Sequence, residues 1–319
     1  CVEDLGAASM TSAGRVEAPT EGAGAGQGQR SPLNLARPTL GEYLQAQIPG
    51  AKVASVSAKD RAAIGMGGRS DGAVLWWDKL GAGFVTSTWY ADALPEWVNE
   101  WNATWLERAG GWEWASRLPD GVEALGTAPD VRPGERPFGS RGIQLPYTLG
   151  DASSAARLAG EVYQTPLVDQ FTVEMGRTAL RELDLGTDEA TDLLAMSFSG
   201  CDVVGHAFGP YSQEVTDLLL RLDLELGSFF AELDERVGAG RWVVALSADH
   251  GVLPLPEYVA EQGQPSRRVP LVEAGSFTAK VSLALGELLG HRVRVYRRDG
   301  GLVMDRRDLA AAEITVEDA

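Results

Sequence analysis

Along the chain, short apolar runs alternate with stretches whose apolar positions recur at helical spacing. "AKVASVSAKDR" (Ala51 to Arg61) predicts a strand ending at Lys59, and "DGAVLWWD" and "AGFVTSTWY", joined by Lys79, Leu80 and Gly81, predict a hairpin. "DLLAMSFS" (192–199) and "RWVVALS" (241–247) are unbroken apolar runs and predict buried strands. Ahead of the first of these, Leu180, Leu183 and Leu185 close an amphipathic helix stopped at Gly186. Ser212 is placed to cap a long helix whose apolar face is Leu218, Leu222, Leu226, Phe229, Phe230 and Leu233. "RPTLGEYLQAQI" reads as a short helix, and "HRVRVYRRDGGLVMDRRDL" as two short strands around Asp299 to Gly301. Strands alternating with helices of this length mean an α/β fold, a mostly parallel sheet flanked by helices. Residues 90–150 are rich in Trp, Pro and Gly without clean periodicity and predict a cap inserted into one domain that spans residues 1–319. Trp97, Trp101 and Trp105 have helical spacing and read as a packing stripe.

Composition narrows the ligands. With 44% hydrophobic residues in 319, the chain can bury a large core. Lys plus Arg number 28 against 45 Asp plus Glu, a net charge of −17 that repels nucleic acid and anionic lipid at long range. An anionic ligand would therefore need metal ions or a few placed basic groups. No run reaches the length of a membrane span. The two cysteines, Cys1 and Cys201, are too few for a disulfide framework, and Cys201 reads as a small buried residue. "EGAGAGQGQR" (Glu21 to Arg30) reads as a flexible surface loop. The chain opens at Cys1 without a charged and apolar leader and reads as an internal portion of something longer.

Two of the three histidines occupy the same kind of place. Asp202 and His206 follow the run 192–199 in a loop of small residues, and Asp249 and His250 follow the run 241–247. Ligands of open parallel sheets sit beyond the carboxyl ends of the strands, so both pairs are expected to converge at one sheet edge. Imidazole and carboxylate are zinc ligands, and two such ions about 4 Å apart can clamp both oxygens of a displacement at phosphorus. The plainer alternative is an Asp–His hydrogen bond on a turn. His291 has no acidic neighbour and reads as a surface residue.

"FSGCDVVGHAFGP", "LSADHGV" and "SVSAKDR", with "TSTWY" and "LPEWVNEWN", resemble the alkaline phosphatase superfamily, in its PafA-like phosphomonoesterase branch, related to type I phosphodiesterases and nucleotide pyrophosphatases. The resemblance runs from Cys1 to Asp308. It implies an alkaline-phosphatase-like fold and hydrolysis of a small phosphate ester with two Zn2+ ions, in a periplasmic or secreted protein. Asp202 and His206 are implied as ligands of one zinc, Asp249 and His250 of the other, and Lys59 and Arg61 as contacts to the non-bridging phosphate oxygens. It also implies a Thr or Ser nucleophile, a further Asp ligand and a late His ligand outside this chain, which alone would be inactive. A phosphodiesterase or nucleotide pyrophosphatase of the same superfamily, or a non-catalytic metal-binding fragment, are the alternatives.

Overall fold

The computed structural model describes residues 9–11, 14–15, 30–120, 129–269, 271–298 and 301–313. Residues 21–29 of the Gly/Ala segment lie outside that set. The chain divides into two compact units, Cys1–Leu255 and Pro256–Ala319.

The first unit is built on a six-stranded sheet. Its strands are β1 (Ser9–Thr11), β2 (Gly14–Arg15), β3 (Val53–Ser57), β4 (Gly72–Asp78), β5 (Gly83–Ser87) and, after the separate two-stranded pair β6 (Glu113–Trp114) and β7 (Tyr147–Thr148), β8 (Leu193–Ser197). The order is β2-β1-β5-β4-β3-β8. β3 runs parallel to both β4 and β8, whereas β4, β5, β1 and β2 pair antiparallel, so the sheet is parallel around β3 and antiparallel from the predicted hairpin outward. β1 and β2 carry no apolar run and were not expected.

β3 is buried throughout because it is paired on both edges. Its serines are tolerated there because they are bonded; Ser55 Oγ donates to the Ala63 carbonyl at 2.7 Å. The strand ends at Ser57 rather than Lys59, and Lys59 becomes the N-cap of a helix instead. At the β3–β4 contact Gly72 is required sterically, since a Cβ there would lie 1.9 Å from the Val53 carbonyl oxygen.

The helices of this unit are α1 (Leu40–Gln47), α2 (Asp60–Gly67), α3 (Glu96–Asn102), α4 (Trp105–Ala109), α5 (Ala155–Val162), α6 (Leu167–Glu182), α7 (Gly200–Phe208) and α8 (Gln213–Leu233). Local sequence explains several ends. Thr39 and Glu42 form a capping box on α1, and Ser212 Oγ accepts the Val215 N–H at the start of α8, as predicted. The tryptophan stripe packs. Trp105 and Phe84 meet Trp77 edge-on at centroid distances of 4.9 and 5.5 Å, and Trp101 meets Phe84 at 5.1 Å. From the 90–150 segment, Leu94, Val98, Trp105, Trp114 and Tyr147 enter the same buried cluster as Val56, Leu75 and Trp77 of the sheet.

One predicted strand does not form. Residues 241–247 are irregular, with Val243 and Leu246 exposed at 94% and 83%. A strand exists only where its N–H and C=O groups find a neighbour. Here a cleft of about 820 Å³, lined by Leu194, Met196, Phe198, Phe230, Trp242 and Val244 among others, lies between the run and β8. The outer edge of β8 is therefore open, and this strand is half-buried instead of buried as its composition suggested.

The second unit comprises α9 (Pro256–Glu261), α10 (Leu271–Leu289), the predicted strands as an antiparallel pair β9 (Val295–Arg298) and β10 (Gly301–Met304), and α11 (Arg306–Ala311). His291 is exposed there. Among the described residues no helix is long and apolar enough to cross a membrane.

Candidate active site

Two adjacent parallel strands, β3 and β8, end in register, Ser57 opposite Ser197. After β3 the backbone turns on Ser57, whose Oγ accepts the Lys59 N–H at 3.1 Å. After β8 the chain passes directly into α7, so Asp202 and His206 stand on a helix one turn apart, not in the loop that their glycine neighbours suggested. Lys59 and Asp202 thus leave the same end of neighbouring strands, and Lys59 Nζ is ion-paired to Asp202 Oδ2.

Asp202 is the hub. Its Oδ1 lies 3.2 Å from His206 Nε2 and 3.6 Å from His250 Nε2. His250 Nε2 is in turn 3.4 Å from Asp249 Oδ2. Although the expected second strand is absent, the chain after it returns to α7; a Cβ on Gly205 would lie 3.6 Å from Val252, an ordinary van der Waals contact. The cluster is open to solvent on one side, with the Asp202 side chain only 20% exposed and that of Asp249 83%. Burial raises the proton affinity of Asp202, but the Lys59 hydrogen bond and the charges of Lys59, His206 and His250 outweigh it and hold the carboxyl below its ordinary range. Arg61 lies two residues beyond Lys59 in the first turn of α2 and is exposed, while Asp60 between them pairs with Arg30.

Sequence reasoning passed over three neighbours. Lys79, read only as a turn residue, places its ammonium 3.7 Å from the centre of the Tyr163 ring, and Tyr163 in turn feels the charges of Arg61 and Asp202. A basic residue in a turn and a tyrosine in a helix end are common enough that no local signal marks them. The third is Asp169 on α6, 2% exposed, whose Oδ1 accepts the Gly200 N–H at 2.9 Å. Burial raises its acid pKa to about 7, against the opposing pull of the Gly200 N–H, the Lys59 charge and the Cys201 N–H. Cys201 is half-buried and free, and burial together with the Asp169 and Asp202 charges raises its thiol pKa, the reverse of what activates a nucleophile.

The donor types fit a divalent cation: two imidazoles and two carboxylates, with an ammonium already lying on Asp202 as a cation would. Among the described residues no three His, Cys, Asp or Glu side chains are drawn together into a closed ligand set.

The sheet is parallel at its centre, and Lys59, Asp202 and His206 stand beyond the carboxyl ends of β3 and β8, where open α/β sheets present their ligands. The chain belongs to the type I phosphodiesterase / nucleotide pyrophosphatase family, whose model matches residues 48–299. It is 34% identical over 279 residues to alkaline phosphatase PhoV of Synechococcus elongatus, a match covering 86% of this chain and 48% of that protein. With alkaline phosphatase PafA of Elizabethkingia meningoseptica it shares 38% identity over 230 residues, 70% of this chain and 41% of the relative. The crystal structure of wild-type alkaline phosphatase PafA superposes with a TM-score of 0.84 at 30% identity, covering 100% of this chain and 58% of that one. The fold is therefore alkaline-phosphatase-like, and the chain spans about half the length of these relatives.

Proposed function

We propose that this chain is part of a metal-dependent phosphomonoester hydrolase of the alkaline phosphatase type, acting on small phosphate esters in the periplasm or outside the cell. The observation that carries the reading is the meeting of Lys59, His206 and His250 on one carboxylate, Asp202, at the end of two parallel strands. In this reading Asp202 and His206 hold one Zn2+, and Asp249 and His250 the other. Bound there, the ions supply the positive charge that a displacement at phosphorus needs.

The chain's own residues then divide the remaining work. Lys59 and Arg61 face the non-bridging oxygens of a phosphomonoester dianion, an ammonium as a point charge and a guanidinium as a fork. They do so inside a protein of net charge −17, so binding of the anion depends on this local patch rather than on the overall field. A Thr or Ser hydroxyl from outside the chain, as the resemblance implies, attacks phosphorus; the ester P–O bond breaks and the alcohol leaves. Water then hydrolyses the phosphoenzyme and releases inorganic phosphate.

A phosphodiesterase is the second reading, favoured by the description of the matching family. A diester carries one charge less and has less use for the Lys59 and Arg61 pair. The test measures turnover of p-nitrophenyl phosphate and bis(p-nitrophenyl) phosphate, with Zn2+ and with a chelator. It is run on the 319-residue chain and on the longest reading frame that contains it. The longer form is expected to show zinc-dependent monoester turnover that His250→Ala abolishes, and the shorter one to be silent. Replacing Lys59 and Arg61 by Ala is expected to depress monoester turnover far more than diester turnover. Equal losses on both substrates would make the pair structural, and turnover indifferent to the chelator would end the metal reading.

A further inference from the structure

α7 carries both residues of one proposed metal pair, yet nothing adjacent in sequence caps it. Ser199, in the N-cap position, has helical backbone angles (φ −83°, ψ −14°) and no side-chain bond to the helix. Its hydroxyl lies instead 3.4 Å from Ser57 Oγ on β3. The first N–H groups of a helix have no partner within it, and in a buried setting an unmade bond is costly. The missing cap comes from α6. Asp169, buried among apolar residues of the first turn of that helix, accepts the N–H of Gly200 at 2.9 Å. The fit is close. A Cβ on Gly200 would sit 2.5 Å from Asp169 Oδ2, so a carboxylate in this position requires glycine at the helix start. Asp202 follows Gly200 by two residues, and His206 stands one turn further along the same face.

We infer that Asp169 is a positioning residue: capping α7 from a neighbouring helix, it sets the rotation and height of the turn that presents Asp202 and His206. The inference rests on the proposed function for what that turn presents, but the cap itself is defined by geometry alone. Two further features suit the role. The carboxylate sits at the positive end of the helix dipole, and its charge is felt by Lys59, the partner of Asp202. Its second oxygen, Oδ2, has no hydrogen-bond partner, so a buried carboxylate is retained here at a cost that a purely apolar packing role would not require.

The experiment uses Asp169→Ala, Asp169→Asn and Gly200→Ala in the longest reading frame containing the chain. Val168→Ala serves as control, an equally buried apolar neighbour on α6 that belongs to the hydrophobic core. Zn2+ affinity is measured by competition with a chromophoric chelator, melting temperature without metal, and amide hydrogen exchange at residues 200–202. Groups that orient metal ligands typically contribute 10–100-fold to affinity, so Asp169→Ala is expected to weaken Zn2+ binding by about that factor. Gly200→Ala should do the same by displacing the carboxylate. Asp169→Asn, which keeps an acceptor for the Gly200 N–H, should recover part of the loss. Val168→Ala should lower the melting temperature without a comparable change in affinity.

Exchange protection at Gly200 is expected to be lost in Asp169→Ala with or without metal. Should Asp169→Ala fail to fold, Asp169→Asn and Gly200→Ala carry the comparison. Unchanged protection at Gly200, wild-type Zn2+ affinity in the folded variants, or an equal affinity loss in Val168→Ala would each overturn the inference. A wild-type protein that takes up no Zn2+ would instead sink the proposed function, while the exchange data would still report on the cap.

Discussion

Glu214 offers the most direct test of the electrostatics buried in this fold. It lies in the first turn of α8 and is 0% exposed; the Tyr147 hydroxyl donates to its Oε1 at 2.9 Å, while Oε2 has no partner. Burial pushes its acid pKa up to about 8; the backbone and Tyr147 hydrogen bonds pull against that, and the nearby Glu135 and Asp130 add to it. A carboxyl whose folded pKa is raised binds its proton more tightly in the native state. The native form therefore holds more protons than the unfolded chain across the window from the ordinary value of 4.5 to about 8. Stability is intact below that window and falls as pH rises through it. Each pKa unit is worth about 1.4 kcal/mol, so ionising Glu214 costs roughly 3–5 kcal/mol at full extent. Glu214→Gln keeps the shape and the acceptor for Tyr147 but cannot ionise. Near pH 5 the two proteins should melt within a few degrees of each other, the Gln amide costing about 1 kcal/mol at most. At pH 9 the variant should be the more stable, by roughly 5–10 °C for a unit of this size. Calorimetric melts at intervals from pH 5 to 9 measure the difference. Two parallel curves, offset but never diverging with pH, would refute the argument. Such an outcome would mean that Glu214 is already ionised in the native protein.

Two further outcomes follow from packing. Gly72→Ala should destabilise the first unit by several kcal/mol in urea unfolding, because its Cβ would fall 1.9 Å from a backbone carbonyl that β3 cannot move without losing β8; a loss under about 0.5 kcal/mol would contradict the observed register. Leu246→Lys, at a side chain 83% exposed beside the apolar cleft, should reduce binding of a hydrophobic dye and raise solubility of the 319-residue chain without lowering its melting temperature. A melting temperature several degrees lower would show that Leu246 is buried in solution.

What was legible in the residues was whatever is decided locally. Ser212 caps α8 and the apolar face behind it packs, because a cap and a 3.6-residue period act within a few turns. The hairpin β4–β5 follows from two β-rich runs and a short connection. The chemistry-bearing types Lys59, Asp202, His206, Asp249 and His250 also stood out, because polar groups at the mouths of apolar runs are costly unless they have work to do. Local evidence misled at Gly200 and Gly205. These glycines suggest a loop, but both belong to α7, and at Gly200 the absent side chain is what lets Asp169 lie against the helix start.

The tertiary structure decided everything that depends on who lies beside whom. Residues 241–247 have the composition of a buried strand, yet a strand is a property of two chains of hydrogen-bonding groups, and here a cleft separates them. The partners of Asp202 come from the turn between β3 and α2, from α7 and from the segment after residue 248, and the cap of α7 comes from a residue 31 positions earlier on α6. A buried N–H can be satisfied by any acceptor the fold brings within reach. Composition and spacing could therefore name the candidate ligands, and only the tertiary hydrogen bond from Asp169 on α6 to the start of α7 could name the residue that caps the helix carrying two of them.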